Sequence, residues 1–296
     1  MLLRDLIEEF LHFKEIYCSV KSVNDYRLNL CRFLRFSGNI DASEVSETML
    51  QDYISCLKKD KLSDASIESY WRDLKIFIRW CNEEYEKAIF DVRLKRIKTK
   101  KVYQKQVPIY SNDEIKELFN NVSAESEWLT IRNKLMIALM YDSGLRQGEV
   151  VNLENRNIFE SDKRMLVCGK GNKERYVPIG SASLSLLRQY RMLCPYSNTY
   201  LFVTRRGEHI TNNTIKLMMQ KLKKEVGFPV SSHMLRHNFA TNYCLDQLRK
   251  TGVADPHSLV LIMGHEELTT TLRYVHDAEK IYAAERYESH LDSIAI

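Results

Sequence analysis

The sequence predicts a mainly α-helical protein with a small antiparallel β-sheet. Apolar residues recur at helical spacing through most of the 296 residues, β-type alternation is confined to a stretch around 165–179, and a strongly basic run separates two apolar-rich regions. The apolar fraction of 44% is ample for proper cores, and no uninterrupted apolar run reaches the roughly 18 residues of a membrane span. Met1-Leu2-Leu3-Arg4-Asp5 leads straight into an amphipathic pattern, unlike a secretory leader. Seven cysteines, odd in number and without a CxxC pair, point to reduced thiols in a cytoplasmic protein rather than a disulfide framework or zinc site. A net charge of +5 is modest, so its distribution matters more than its size.

Four amphipathic helices are expected in the first region. Leu3, Leu6, Ile7, Phe10 and Phe13 mark the first over 2–17, and a second follows Ser22 with Val23, Tyr26, Leu30 and Phe33, ending near Gly38. Ser46 can cap a third, and Ser66 can start a fourth carrying Ile67, Tyr70, Trp71, Leu74 and Phe77. Short polar connections suggest an antiparallel bundle with the aromatics as its core. Residues 93–105 then carry seven bases and no acid: Arg93, Lys95, Arg96, Lys98, Lys100, Lys101 and Lys105. This run is either a solvated tether or a linker along phosphates, adding affinity without reading sequence.

Pro108 marks the start of the second region. Ser111 is a cap for a helix through Ile115, Leu118 and Phe119, and an apolar helix over 131–141 stops at Ser143-Gly144. Arg146, between Gly144 and Gly148, can reach into a cleft, or can simply pair with Glu149. Two β-type runs flank Gly169-Lys170-Gly171-Asn172, a hairpin with Lys170 at its tip, and the spacing is not that of a Walker A loop. A further extended segment is expected at Tyr200–Val203 and a basic-faced helix at 214–226.

Residues 233–274 hold the chemistry-bearing pattern. His233 and Arg236, three apart after capping serines 231 and 232, share the face of a first helical turn, where backbone N–H groups favour an anion. Gly264 is a helix stop, leaving His265 just past the end, and Tyr274 follows a threonine run that opens a short helix. Two imidazoles, a guanidinium and a phenol suit a phosphodiester. A surface HxxR pair and a core tyrosine are the bland alternatives. His233 and His237 are spaced for a metal, but Met234 stands where the zinc-protease pattern needs Glu, so no metal site is expected. The tail beyond Tyr274 is amphipathic, with Ile281, Ala284, Tyr287 and Leu291 near one face.

Taken in order, G-L-R-Q-G-E (144–149), G-K-G-N-K-E-R (169–175), H-M-L-R-H (233–237), Gly264-His265 and Tyr274 resemble the tyrosine recombinases, the phage-integrase family, and its Xer-like members especially. The resemblance implies a SAM-like helical core-binding domain at 1–92, a basic linker at 93–107, and a tyrosine-recombinase catalytic domain at 108–296 with a C-terminal intersubunit helix. It implies that Arg146 and Arg236 hold the non-bridging oxygens of the scissile phosphate. Lys170 protonates the leaving 5′-oxygen, His265 supports the transition state, His233 handles a proton and contacts the phosphate, and Tyr274 is the nucleophile. Glu149 orients its neighbours. The implied partner is duplex DNA bearing a specific recombination site, clamped between the two domains by a homotetramer on two sites that is a monomer or dimer when free. Accessory proteins are compatible with this scheme; no cofactor, metal or membrane is implied, and the location is the nucleoid.

Two departures accompany the resemblance. The segment around Leu248 to Pro256 is longer than in common Xer-like members and is expected to be a surface loop. The chain also begins directly with the bundle, without the arm-binding domain of some phage integrases. A topoisomerase-like nicking and closing enzyme and a catalytically silent DNA-binding protein remain the alternatives. The complete set of Arg146, Lys170, His233, Arg236, His265 and Tyr274 favours chemistry over silence.

Overall fold

Ser19, Ser46 and Ser63 cap three of the four helices that open the chain. In the computed structural model, which describes residues 1–85, 89–100, 107–290 and 294, helices α1 (Leu3–Tyr17), α2 (Val20–Ser37), α3 (Glu47–Lys59) and α4 (Asp64–Glu84) form the first of two compact units, Met1–Lys105. Ser46 caps α3 as expected. Helices α2 and α4 start about one turn before the serines chosen from sequence. Both starts read Ser-x-x-Ser, and the earlier serine, Ser19 or Ser63, accepts the N–H of the later one, Ser22 or Ser66. Phe10 meets Tyr26, Phe77 and Trp80 edge-on at 5.4–5.5 Å, and Phe33, Tyr53 and Trp71 are buried with it. Each such side chain contributes about 1.5–3 kcal/mol by burial.

The basic run differs from a free tether. Residues 93–100 lie on the first unit: Leu94–Arg96 form a 3-10 turn, Ile97 is buried, and Leu94 packs against the same core. Acids of α3 and α4 receive several of its other residues. Glu47 takes the Arg93 N–H at 3.0 Å and stands 4.0 Å from Arg96, Asp64 pairs with Lys100 at 3.2 Å, and Glu68 accepts from the Thr99 hydroxyl. Two apolar residues three apart dock the strand, which is why composition alone misleads here. Lys101 and Lys105 lie outside the described residues.

The second unit, Gln106–Ile296, contains α5 (Asn112–Asn120), α6 (Glu127–Asp142), α7 (Gln147–Val151), α8 (Ser181–Leu193), α9 (Asn212–Val226), α10 (Ser232–Thr251), α11 (Pro256–Met263) and α12 (Leu268–Glu285). Strands β1 (Ile158–Phe159), β2 (Arg164–Cys168) and β3 (Glu174–Pro178) form one antiparallel sheet in sequence order. Its register sets Met165 opposite Val177 and Val167 opposite Arg175. One apolar core joins the sheet to α5–α9, and α6, buried nearly all round, runs through it. A smaller core joins α10, α11 and α12 around Phe239, Leu248, Leu259, Met263 and Tyr274.

Several expectations change here. Helix α8 and strand β1 have no counterpart in the sequence reading, whereas the extended segment expected at Tyr200–Val203 is present and makes isolated bridges to Glu154 and His209. The residues around 248–256 are not a long loop. Helix α10 runs on to Thr251, because Leu248 finds a buried place against α11 and α12, and Gly252 ends it in the left-handed conformation. The expected short helix at Tyr274 and the C-terminal helix are one element, α12; Ala284 is exposed, Tyr287 lies past its end, and Leu291 lies outside the described residues. No helix among the described residues is long and apolar enough to cross a membrane.

Candidate active site

Arg146 stands at the N-cap of α7 because Gly144, at φ +65°, turns the chain sharply after α6. A Cβ at Gly144 would fall 2.3 Å from the Phe239 ring, so glycine also lets α10 pack close. Helix α10 begins at Ser231, whose hydroxyl accepts the Met234 N–H, and Ser232 donates to Gln147 at 2.9 Å. The two arginine-bearing helices are thereby tied together at their starts.

Glu149 sits between three guanidiniums. Arg175 donates to both of its oxygens at 2.8 and 2.9 Å, Arg146 donates from its side chain at 2.9 Å and its backbone N–H at 2.8 Å, and Arg236 stands 3.8 Å away. Burial would raise the Glu149 pKa, but Arg175, the Arg146 N–H and Arg236 together hold it below the usual carboxylate range. Arg236 is buried as well, and that burial, with Arg146 and Arg175 nearby, pulls its pKa down to about 9, still protonated at neutral pH. It donates to Met263 O at 2.5 Å and to Gly144 O.

His265 follows the left-handed Gly264 that ends α11. Its Nδ1 lies 2.7 Å from the hydroxyl of buried Thr271, and its Nε2 lies 3.5 Å from Arg236 Nη2. A guanidinium can only donate, so Nε2 accepts and Nδ1 carries the proton given to Thr271. Burial, then Arg236, Arg146 and Arg175, push its pKa down to about 4, so the ring is neutral near pH 7. Tyr274 is stacked beside it, with ring centroids 5.8 Å apart, and meets His237 edge-on at 4.9 Å. Burial raises the phenol's pKa and outweighs the lowering by Arg236, Arg273 and Arg146. The cations alone therefore do not give a phenolate in the free chain.

Beside these residues lies a cavity of about 620 Å³ lined by Arg146, Lys173, Arg175, Gly264 and His265. The structure gathers Arg146, Glu149, Arg236, His265 and Tyr274. His233, more exposed, lies on the first turn of α10, and its pKa is lowered by partial burial and by Arg236 and Arg273. Lys170 begins the 3-10 turn joining β2 to β3; its side chain lies outside the described set. His237 turns inward, fully buried, 3.7 Å from Asp277; no metal-holding cluster occurs among the described residues. Sequence reasoning passed over Arg175 and Thr271. Arg175 had a signal, since strand alternation puts it on the same face as buried Val177.

Paired arginines with a neutral histidine and a tyrosine at their side form a cluster whose charge and donors suit an anion. Residues 109–280 match the model of the phage integrase family, over more than half of the chain, and the chain belongs to that family: it is a tyrosine recombinase. It is similar to tyrosine recombinase XerD of Listeria innocua serovar 6a, 27% identical over 289 residues that cover 93% of this chain and 94% of that protein. Tyrosine recombinase XerC of Lacticaseibacillus casei is 29% identical over 285 residues, 91% and 92% of the two. Among solved structures, the XerH site-specific recombinase bound to palindromic difH substrate has a TM-score of 0.74 at 24% identity, covering 96% of this chain and 84% of that one. A lambda integrase dimer bound to a core site has a TM-score of 0.73 at 14% identity and full coverage of both. At these identities the two structures establish the shared fold.

Proposed function

We propose that this tyrosine recombinase acts on duplex DNA carrying a specific site, cutting and rejoining strands through a 3′-phosphotyrosyl intermediate. The observation that carries the reading is the convergence of Arg146, Arg236 and neutral His265 on the face where Tyr274 lies. Arg146 and Arg236 hold the non-bridging phosphate oxygens, a task that suits arginine's fixed fork. The Tyr274 oxygen attacks phosphorus and the bond to the 5′-oxygen breaks. The phenol's proton passes to His233, whose lowered pKa keeps it neutral, and Lys170 supplies the proton of the leaving hydroxyl. His265 supports the crowded transition state, and Glu149 orients the arginines. The phosphoester is exchanged rather than consumed, so the 5′-hydroxyl of a second strand can reverse the step without a nucleotide or metal.

The same reading includes a homotetramer on two DNA sites, with the C-terminal segment as the intersubunit element and a cytoplasmic, nucleoid location. Exposed Lys95 and Lys98, which have no ion-pair partner among the described residues, are its best linker contacts to phosphate, with Arg93. The test is a nicked suicide duplex containing the cognate site, selected from genomic fragments, incubated in a chelator. An SDS-resistant adduct with wild type and none with Tyr274→Phe is expected. Tight binding with no adduct from either protein would favour a silent DNA-binding protein; relaxation of one duplex without joining of two would favour a nicking-closing enzyme.

A further inference from the structure

Three consecutive carbonyls end α11, and each is taken by a different arginine. Arg175 Nε donates to Ile262 O at 2.6 Å, Arg236 to Met263 O at 2.5 Å, and Arg146 to Gly264 O at 2.9 Å. A helix carboxyl end presents unsatisfied carbonyls and partial negative charge, so it is a natural seat for cations. The same three arginines surround Glu149 on their other side. Arg175 differs from the other two in being fully committed. Its two terminal nitrogens grip both Glu149 oxygens and its Nε grips the helix end, so all three guanidinium nitrogens are taken.

One glycine makes room for this grip. A Cβ at Gly264 would lie 3.0 Å from Arg175 Cδ and Nε, whereas one at Gly169 would make only an ordinary contact with Nη1 at 3.5 Å. Gly264 also has φ +62°, so its backbone turn and its lack of a side chain serve the same contact. His265 is the next residue.

We infer that Arg175 is a positioning residue for the recombination reaction: by bridging Glu149 to the end of α11 it sets where Arg146 and His265 stand, without touching the phosphate itself. This rests on the recombinase reading for its activity readout alone. Lysine keeps the charge but cannot bridge a carboxylate and a carbonyl through a fixed fork.

The experiment compares wild type, Arg175→Lys, Glu149→Gln and the double variant, each shown to be folded by circular dichroism. Single-turnover cleavage of the suicide duplex at saturating DNA should fall about 10–100-fold in Arg175→Lys, as small misplacements of a catalytic array do, with DNA affinity unchanged. The double variant should be no slower than the slower single one, because both break one bridge. Hydrogen exchange of amides 262–268 should quicken in Arg175→Lys while the first unit stays as in wild type. An unchanged cleavage rate, or unchanged exchange at 262–268, would overturn the inference. So would a loss of DNA affinity matching the loss of rate, since Arg175 would then be a phosphate ligand. If wild type formed no adduct, the recombinase reading would fall, and the exchange comparison would still decide whether Arg175 holds the turn.

Discussion

On the Glu149 side of the cleft the buried charges are paired, whereas on the Tyr274 side the polar groups are held neutral in a small apolar core. Three guanidiniums there share one carboxylate and three helix-end carbonyls. Across from them, His237 Nε2 is buried without a hydrogen bond, burial outweighs Asp277 in pushing its pKa down to about 4, and the Tyr274 phenol is kept protonated. On the proposed reading the difference separates two jobs. A cradle assembled before its anion arrives avoids reorganisation during the reaction. A nucleophile kept protonated reacts only when a base and a phosphate are present together.

The widest test of this contrast is Tyr274→Phe. It should remove the covalent adduct completely while leaving the thermal melt near that of wild type, because one hydroxyl is lost from an otherwise unchanged core. Glu149→Ala strikes the other side. Removing the carboxylate leaves Arg146, Arg175 and Arg236 facing one another, and a loss of about 3–5 kcal/mol in urea unfolding is expected, as for other broken buried pairs. A loss below about 1 kcal/mol, the range of an ordinary exposed pair, would mean that the α11 carbonyls neutralise the cluster by themselves.

Acid should act mainly through the neutral histidines. His265 and His237 have folded pKa values near 4, below the unfolded value of about 6.5. Between those values the unfolded chain binds the extra protons, so stability is intact above about pH 6.5 and declines as pH falls toward 4. Melting temperatures over that range should drop, and His237→Gln should flatten the drop. A decline confined below pH 4 would contradict the assignment. A smaller effect is expected for Gly264→Ala, about 1–2 kcal/mol from the left-handed backbone, plus displacement of Arg175, read in the same unfolding assay. The smallest belongs to the linker: Lys95→Ala and Lys98→Ala should leave the melt unchanged and lower the salt dependence of DNA binding by about 0.9 in log–log slope per lost phosphate contact. An unchanged slope would take the linker out of the DNA footprint.

Much of this was legible because its causes are local. Helix starts follow serine caps, the hairpin follows Gly-Lys-Gly-Asn, and the placement of His265 follows from Gly264. Those signals act within a few residues, so the sequence by itself determined most of the helices, the hairpin and a set of chemically apt side chains that lacked Arg175 and Thr271. Helix α8 was also legible in Leu184, Leu187 and Tyr190, but Ser181, Ser183 and Ser185 dilute its pattern. Other features have no local cause. The docking of Ile97, the extension of α10 around Leu248, the Thr271 partner of His265 and the bridge from Arg175 to Ile262 each join residues whose meeting depends on how distant helices pack. The ionisation of the site belongs with them. Whether His265 is neutral and Tyr274 protonated is set by burial and by neighbours far along the chain, and only the tertiary structure brings those neighbours within reach.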